Sequence, residues 1–146
     1  MRRVVVTGLG TINPCGKNVS QSWDSIIQSE CGITAIGSFD ASGLPVQIAA
    51  EVQDFEFGKH INKKNMRRMD RFTQFAMVAT KEAVEQAKLC PPFGTRTGVS
   101  IGTGIGGIRE IADGIKRLDS KGYKGLGALF IPKSLSNLAS GHVAIA

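Results

Sequence analysis

GVSIGTGIGG, at residues 98–107, joins a short apolar run to a cluster of glycines. The run at 98–101 is typical of a short strand, and the glycines after it predict a tight turn with close backbone packing. A helix is predicted to follow and to reach about Leu118. Strand, turn and helix in this order are typical of an α/β fold.

Two further apolar runs predict strands. Residues 3–7 (RVVVT) are rich in β-branched side chains and are followed by Gly8, so they indicate a buried strand. Residues 46–52 (VQIAAEV) alternate in part between apolar and polar side chains, which favours another strand.

Three further helices are predicted. One begins near Ser20 and ends before Gly32, and a long one covers 62–88 until Pro91 and Pro92 end it. The last runs from about residue 135 to the end of the chain. The long helix has one apolar stripe at steps of three and four, made of Phe72, Ala76, Ala79, Ala83 and Ala87. The alternation of strands and helices predicts a layered α/β fold.

Composition narrows the functional classes. The chain has 146 residues, of which 42% are hydrophobic and 21% charged, as in an ordinary soluble globular domain. The net charge of +6 is compatible with an acidic partner. Aromatic residues make up only 6%, which argues against a base-stacking surface for nucleic acid. No apolar run approaches the length of a membrane span, so a membrane partner is not expected either.

The cysteines and histidines do not predict a metal site. Cys15, Cys31 and Cys90 show no CxxC spacing, and His60 and His142 are the only histidines. The interpretation from these residues is reduced thiols in an intracellular protein, with no metal and no catalytic group identified.

Gly102, Gly104 and Gly107 match the spacing of the dinucleotide-binding fingerprint. That fingerprint requires an acidic residue roughly 20 positions further on to hold the ribose. Residues 125–129 (GLGAL) contain no acid. A nucleotide-binding α/β domain therefore stays an alternative that the motif alone does not support.

The densest positive charge lies on the predicted long helix. Its basic residues are Lys63, Lys64, Arg67, Arg68 and Arg71. The spacing of Lys64, Arg67 and Arg68 places them on one helical face, while Met66, Met69 and Phe72 are predicted to face inward. Two interpretations remain open, a docking surface for an anion-rich partner and a solvated charged face without one.

Taken together, the motifs resemble those of β-ketoacyl-acyl-carrier-protein synthases, type II in particular, in order along the whole chain. The matching segments are RVVVTGLG (3–10), NPCG (13–16), Trp23, GI (32–33), FD (39–40), RMDRF (68–72), GTGIGG (102–107), FIP (130–132) and SNLASGH (136–142).

The resemblance implies a thiolase-like layered α/β/α/β/α fold, of which residues 1–146 are an incomplete N-terminal half, and a homodimer in full-length form. It implies a cytoplasmic enzyme of fatty acid synthesis that condenses malonyl-carrier protein with an acyl chain held on a cysteine, with loss of carbon dioxide. Substrates travel on the phosphopantetheine of the acyl carrier protein, and no further cofactor is expected. That cysteine lies in a Thr-Ala-Cys motif that is expected beyond Ala146, so the chain by itself is expected to be a truncated, inactive acyltransferase.

The resemblance also assigns site residues. Lys64, Arg67 and Arg68 match the docking patch for the acyl carrier protein, and Lys124 is a further candidate. Ile105 and Phe130 match residues that line the acyl pocket, although plain core packing is an alternative for both. A carrier-binding module without catalysis is the second functional hypothesis.

Overall fold

The computed structural model describes residues 3–146. The helices are, in chain order, α1 (Val19–Ile27), α2 (Lys63–Met66), α3 (Arg71–Gln86), α4 (Ile108–Lys121), α5 (Phe130–Ser134) and α6 (Leu138–Ile145). Two short strands, β1 (Thr34–Ala35) and β2 (Ile48–Ala49), and two 3₁₀ turns, Phe57–Lys59 and Gly122–Gly125, complete the regular structure of this part of the chain.

The chain forms two compact units. The first consists of residues 3–56 together with 79–89, and the second consists of 57–78 together with 90–146. The early turns of α3 thus belong to the second unit and its later turns to the first.

The first unit is built around α1 and the later turns of α3. Asn18 caps α1, because its side-chain oxygen accepts a hydrogen bond from the Gln21 amide at 2.9 Å. The strands β1 and β2 pair antiparallel, with Thr34 opposite Ala49. The strand predicted for 46–52 is therefore confirmed only at Ile48–Ala49.

The buried strand predicted at residues 3–7 is wrong. Val4 is 93% exposed and Val6 is 80% exposed, and the run pairs with no strand in the described chain. A β-branched run becomes a strand only where another strand supplies its hydrogen-bond partners. The glycines that follow pack instead on α3. A Cβ atom at Gly10 would overlap the carbonyl of Ala79, and one at Gly8 that of Ala83.

The second unit contains α2, α4, α5, α6 and the early turns of α3. Its buried side chains include Phe57, Ile61, Met69, Thr73, Val78 and Ala139. The helix predicted to follow the glycines is confirmed as α4, and it extends to Lys121. The strand predicted at 98–101 did not form, and within residues 3–146 this segment has no ladder partner.

One predicted helix is divided in the structure, and another begins later than predicted. The helix predicted for 62–88 is broken between Met66 and Arg71, because Asp70 starts a new helix: its carbonyl accepts from the Gln74 amide at 3.1 Å and its side chain from the Arg71 amide at 2.6 Å. The helix predicted from about residue 135 is confirmed as α6, which begins three residues later, at Leu138. The short helix α5 lies before this segment and was not predicted. None of the helices in the described chain is long and apolar enough to span a bilayer.

Candidate functional site

The basic segment, residues 63–68, carries three of the four predicted docking residues. Its first helical turn is capped by Asn62, whose side chain accepts from the Asn65 amide at 2.9 Å. The Arg67 amide donates to the Lys63 carbonyl at 3.3 Å, so the helical turn extends to the first arginine. Lys64, Arg67 and Arg68 are all exposed, and their charges are therefore available to a partner.

The residues that flank the basic segment anchor it. Ile61, just before it, and Met69, just after it, are buried, and Met66 is half-buried. The inward orientation predicted for Met69 is thus confirmed. Burial of two large apolar side chains on either side of the cations holds this exposed segment against its unit, since burying each such side chain stabilises by roughly 1.5–3 kcal/mol.

Gln74 fastens the basic segment to α3. Its side-chain amide donates hydrogen bonds to the carbonyls of Met66 at 3.3 Å and Met69 at 3.2 Å. These carbonyls lie at the end of α2 and in the break that follows it, where a helix leaves acceptors without internal partners. This role of Gln74 was not predicted from the sequence, because residues 62–88 were expected to form one uninterrupted helix.

Arg71 behaves differently from the other cations of the cluster. Its guanidinium lies over two rings, 5.6 Å from the centroid of Phe57 and 5.1 Å from that of Phe75. The two rings themselves are tilted against each other at 5.1 Å. Cation–π contacts of this kind hold the arginine in one orientation at the start of α3. Arg71 therefore packs on these two aromatic rings, although it remains exposed.

Lys124 lies in the 3₁₀ turn Gly122–Gly125, which follows α4 in the same unit. Its side chain is exposed. The turn is closely packed on the end of α4, because a Cβ atom at Gly125 would overlap the carbonyl of Arg117. Lys124 thus stands on a separate, well-supported turn rather than on the basic segment.

The glycine turn, residues 103–107, presents Ile105. The Gly106 amide donates to the Thr103 hydroxyl at 3.2 Å, and the Gly107 amide donates to the Ser134 carbonyl at 3.3 Å. Gly106 has a φ of 74°, a conformation that glycine adopts without strain. Ile105 is 65% exposed at this turn, so the alternative of plain core packing does not describe it within the described chain.

Phe130, the second predicted pocket residue, is the first residue of α5 and is half-buried. Its ring lies against α4 at Gly114. The glycine turn contacts the other end of the same short helix, at Lys133 and Ser134. The structure therefore brings the Ile105 turn and the Phe130 ring onto one element, α5.

An ion cluster also joins α4 to α5. The Glu110 carboxylate pairs with the Arg117 guanidinium at 2.5 Å and with the Lys133 ammonium at 3.7 Å. The glutamate side chain is only 18% exposed, which makes this pairing less screened than a surface ion pair. The cluster helps to hold α5, which carries Phe130, against α4.

Asp70 meets the glycine turn at the start of α4. A Cβ atom at Gly107 would lie 2.8 Å from the Asp70 Oδ2 atom, so only a glycine lets the carboxylate approach this closely. Gly107 is the residue from which α4 begins, and no side chain caps it by a hydrogen bond. A phosphate bound at this helix start would meet the negative charge of Asp70, which disfavours the nucleotide-binding alternative.

The cysteines and histidines do not form a metal site in the part of the chain that the structure describes: no group of three or more His, Cys, Asp or Glu side chains could hold an ion. Cys15, Cys31 and Cys90 are free thiols. The Nε2 atom of His142 is buried and has no hydrogen-bond partner among residues 3–146.

Comparison with known proteins matches this chain to one family. The family model for the β-ketoacyl synthase N-terminal domain matches residues 1–146. The chain is 40% identical over 146 residues to the 3-oxoacyl-[acyl-carrier-protein] synthase 2 of Staphylococcus aureus (strain COL). The match covers 99% of this chain and 35% of that protein, so the chain spans about a third of the relative's length.

Two solved structures share the backbone. The ishigamide ketosynthase/chain length factor superposes with a TM-score of 0.87 at 29% identity, covering 99% of this chain and 36% of that one. A type II PKS acyl-carrier protein in complex with its ketosynthase gives a TM-score of 0.76 at 26% identity, covering 97% and 37%. The predicted fold class, an N-terminal part of the thiolase-like fold, is thereby confirmed.

The exposed basic segment, the glycine turn and the short helix α5 thus lie within a chain that both the family model and the solved structures match almost from end to end. The chain belongs to the β-ketoacyl synthase family, as an N-terminal domain.

Proposed function

We propose that this chain is the N-terminal part of a 3-oxoacyl-acyl-carrier-protein synthase that elongates fatty acyl chains. In the proposed reaction, malonyl-carrier protein loses carbon dioxide, and the electron pair left on carbon attacks an acyl thioester held on a cysteine. The new carbon–carbon bond forms as the cysteine thiolate leaves. The 40% identity to the 3-oxoacyl-[acyl-carrier-protein] synthase 2 of Staphylococcus aureus supports this assignment.

The proposed contribution of residues 3–146 is recognition of the acyl carrier protein. The observation that carries it is the exposure of Lys64, Arg67 and Arg68 on a segment whose flanking residues Ile61 and Met69 are buried. Cations on an anchored segment attract an acidic partner and set its orientation. A similar ketosynthase has been solved in complex with an acyl-carrier protein, which supports such a surface in this family. Lys124 is proposed as a further, peripheral contact.

Ile105 and Phe130 are proposed to line the acyl pocket. The glycine turn that carries Ile105 packs against α5, and Phe130 is the first residue of α5. Ile105 is exposed rather than packed in a core. An apolar side chain held at an exposed glycine turn is suited to contact a bound acyl chain, because burying it on the ligand removes apolar surface from water.

The catalytic cysteine of the family is proposed to lie outside residues 1–146, because Cys15, Cys31 and Cys90 do not stand in a Thr-Ala-Cys motif. The chain by itself is then an inactive, truncated part of a homodimeric, cytoplasmic enzyme that binds no separate cofactor. Incubation with acyl- and malonyl-carrier protein tests this: no 3-oxoacyl product is expected, and steady turnover would refute it.

The carrier-docking proposal is tested by titrating holo-acyl carrier protein onto the chain in calorimetry at two salt concentrations. The double variant Arg67→Glu/Arg68→Glu is expected to lose binding by at least about tenfold, since two attractive charges become repulsive. Binding to the parent chain is expected to weaken as salt rises, because ions screen charges beyond roughly 8–10 Å.

The matched control is Arg96→Glu/Lys116→Glu. Both residues are exposed, and the control changes the net charge by the same amount at positions outside the basic segment. If the control loses as much affinity as the test variant, binding depends on net charge alone and the docking surface is wrongly placed. Absence of binding by the parent chain would refute the carrier proposal altogether.

A further inference from the structure

Asp70 lies between the basic segment and the glycine turn and contacts the residues that follow the one and form the other. It stands directly after Met69, whose carbonyl Gln74 holds, and its Oδ1 atom accepts from the Arg71 amide at 2.6 Å. Its Oδ2 atom lies against Gly107, where a Cβ atom would come within 2.8 Å of it. One carboxylate therefore touches the start of α3 with one oxygen and the glycine turn with the other.

The negative charge of Asp70 is favourable at both of the helix starts that it approaches, those of α3 and α4. Residue 70 precedes the first residue of α3, and Gly107 precedes the first residue of α4. The first turn of a helix carries unpaired amides and a partial positive charge, which an adjacent carboxylate stabilises. α4 has no side-chain cap of its own at Gly107, so Asp70 is the acidic group that the structure brings to that helix start from a distant part of the sequence.

We infer that Asp70 is a positioning residue, whose carboxylate fixes the glycine turn that presents Ile105 relative to the basic segment that receives the carrier protein. The substrate class that this inference concerns, an acyl chain delivered by an acidic carrier, rests on the proposed function. The contact between the carboxylate and the turn does not depend on it.

The first experiment uses the free chain with ¹⁵N-labelled glycine. Asp70→Ser keeps an oxygen that can cap α3 but is too short to reach Gly107, which separates capping from positioning. The amide signals of Gly106 and Gly107 are expected to shift, and their hydrogen exchange to speed up by about tenfold as the turn opens locally. The control Asp119→Ser, an exposed acid on α4, should leave both unchanged. Unaltered glycine signals in an Asp70→Ser chain with native helix content would overturn the inference.

The second experiment measures affinity for holo-acyl carrier protein. If only charge mattered, removing a carboxylate near the basic segment would tighten binding of an acidic partner, as Asp119→Ser should do slightly. Positioning predicts the opposite sign, a loss of roughly threefold to tenfold in Asp70→Ser. Tighter binding in Asp70→Ser refutes the link to the basic segment. If the parent chain binds no carrier, the proposed function fails, and the glycine signals alone decide the role of Asp70.

Discussion

Gly114, inside α4, lies against the ring of Phe130, so that a Cβ atom at position 114 would come 2.9 Å from the ring atom Cδ2 and 3.1 Å from Cζ. Cε2 would be closer still. Glycine within a helix is less favourable than alanine by about 1 kcal/mol. The packing of an aromatic ring directly on the helix backbone gives a physical reason for glycine at this position.

Gly114→Ala is expected to destabilise the chain by about 1–3 kcal/mol, because the buried methyl group forces the Phe130 ring off α4. Denaturant unfolding followed by circular dichroism measures this. Ile105 and Phe130 are proposed to line an acyl pocket, and the ring would move relative to the glycine turn. A change in the acyl chain length preferred by the proposed synthase is therefore also expected.

The control for this substitution is Gly141→Ala in α6. No atom lies within 4 Å of the position of its added Cβ. Alanine should therefore stabilise the chain by about 0.5–1 kcal/mol through helix propensity alone. Equal effects of the two substitutions would show that Phe130 does not rest on Gly114.

The helices α1 and α4 were predictable because their signals are local. Asn18 before α1 and the glycine turn before α4 mark helix starts within a few residues. The runs at 3–7 and 98–101 also have strand-like composition, yet neither is a strand. A strand depends on hydrogen bonds to a neighbour elsewhere in the chain, and no window of sequence states whether that neighbour is present.

The candidate site shows the same difference between local signals and contacts with distant parts of the chain. The shared face of Lys64, Arg67 and Arg68 was predictable from their spacing, and the structure exposes all three. Their docking role came from the family resemblance and stays a prediction. Asp70 and Gln74 were missed because their roles depend on the helix break and, for Asp70, on Gly107 far along the chain. One signal was available at Gly114, because an isolated glycine in a helical pattern often has a packing reason.

Glu82 is expected to be a stabilising residue of the first unit. Its two carboxylate oxygens accept hydrogen bonds from the amides of Thr11 at 2.9 Å and Val19 at 2.8 Å. In Glu82→Gln one oxygen becomes an NH₂ group that faces a donor, and the charge at the start of α1 is lost. A loss of about 1–3 kcal/mol in the free energy of unfolding is expected by chemical denaturation.

Glu85→Gln is the control for Glu82→Gln. Glu85 lies three residues further along α3. Glu85 pairs with the exposed Lys81, at 3.8 Å. An exposed pair of this kind contributes about 0.3–0.5 kcal/mol, so the change should be small. A Glu82 variant as stable as the Glu85 variant would contradict the assigned role.

Glu51 is expected to titrate at a lower pH than an ordinary glutamate. The Ser38 hydroxyl and then the Gly37 amide donate hydrogen bonds to its carboxylate, which lowers its pKa. The pKa of Glu51 is lower in the folded chain than in the unfolded chain, where it is about 4.3. These hydrogen bonds therefore stabilise the fold above that pH, and the stabilisation is lost as the pH falls through the folded pKa. An NMR titration of the Glu51 carboxyl measures the midpoint.

Ser38→Ala should raise the Glu51 midpoint, since the hydroxyl is the main cause of its lowering. Ser42→Ala is the matched serine substitution. The Ser42 amide, and then its hydroxyl, donate to the Asp40 carboxylate and lower its pKa. Ser42→Ala keeps the amide and removes the hydroxyl, so the Asp40 midpoint should rise in part while that of Glu51 stays in place. A Glu51 midpoint unaffected by Ser38→Ala would refute the hydrogen-bond explanation.

Gln74→Leu tests whether the basic segment must be held in place to bind a carrier protein. The substitution changes no charge, but it removes the donor that holds the Met66 and Met69 carbonyls. We expect about 1–2 kcal/mol of lost stability, and weaker carrier binding despite unchanged Lys64, Arg67 and Arg68. Gln28→Leu, at an exposed helix end, serves as the control and should change neither quantity. Full carrier affinity in Gln74→Leu would mean that the cations act by charge alone, because a docking surface with defined geometry requires its backbone to be held.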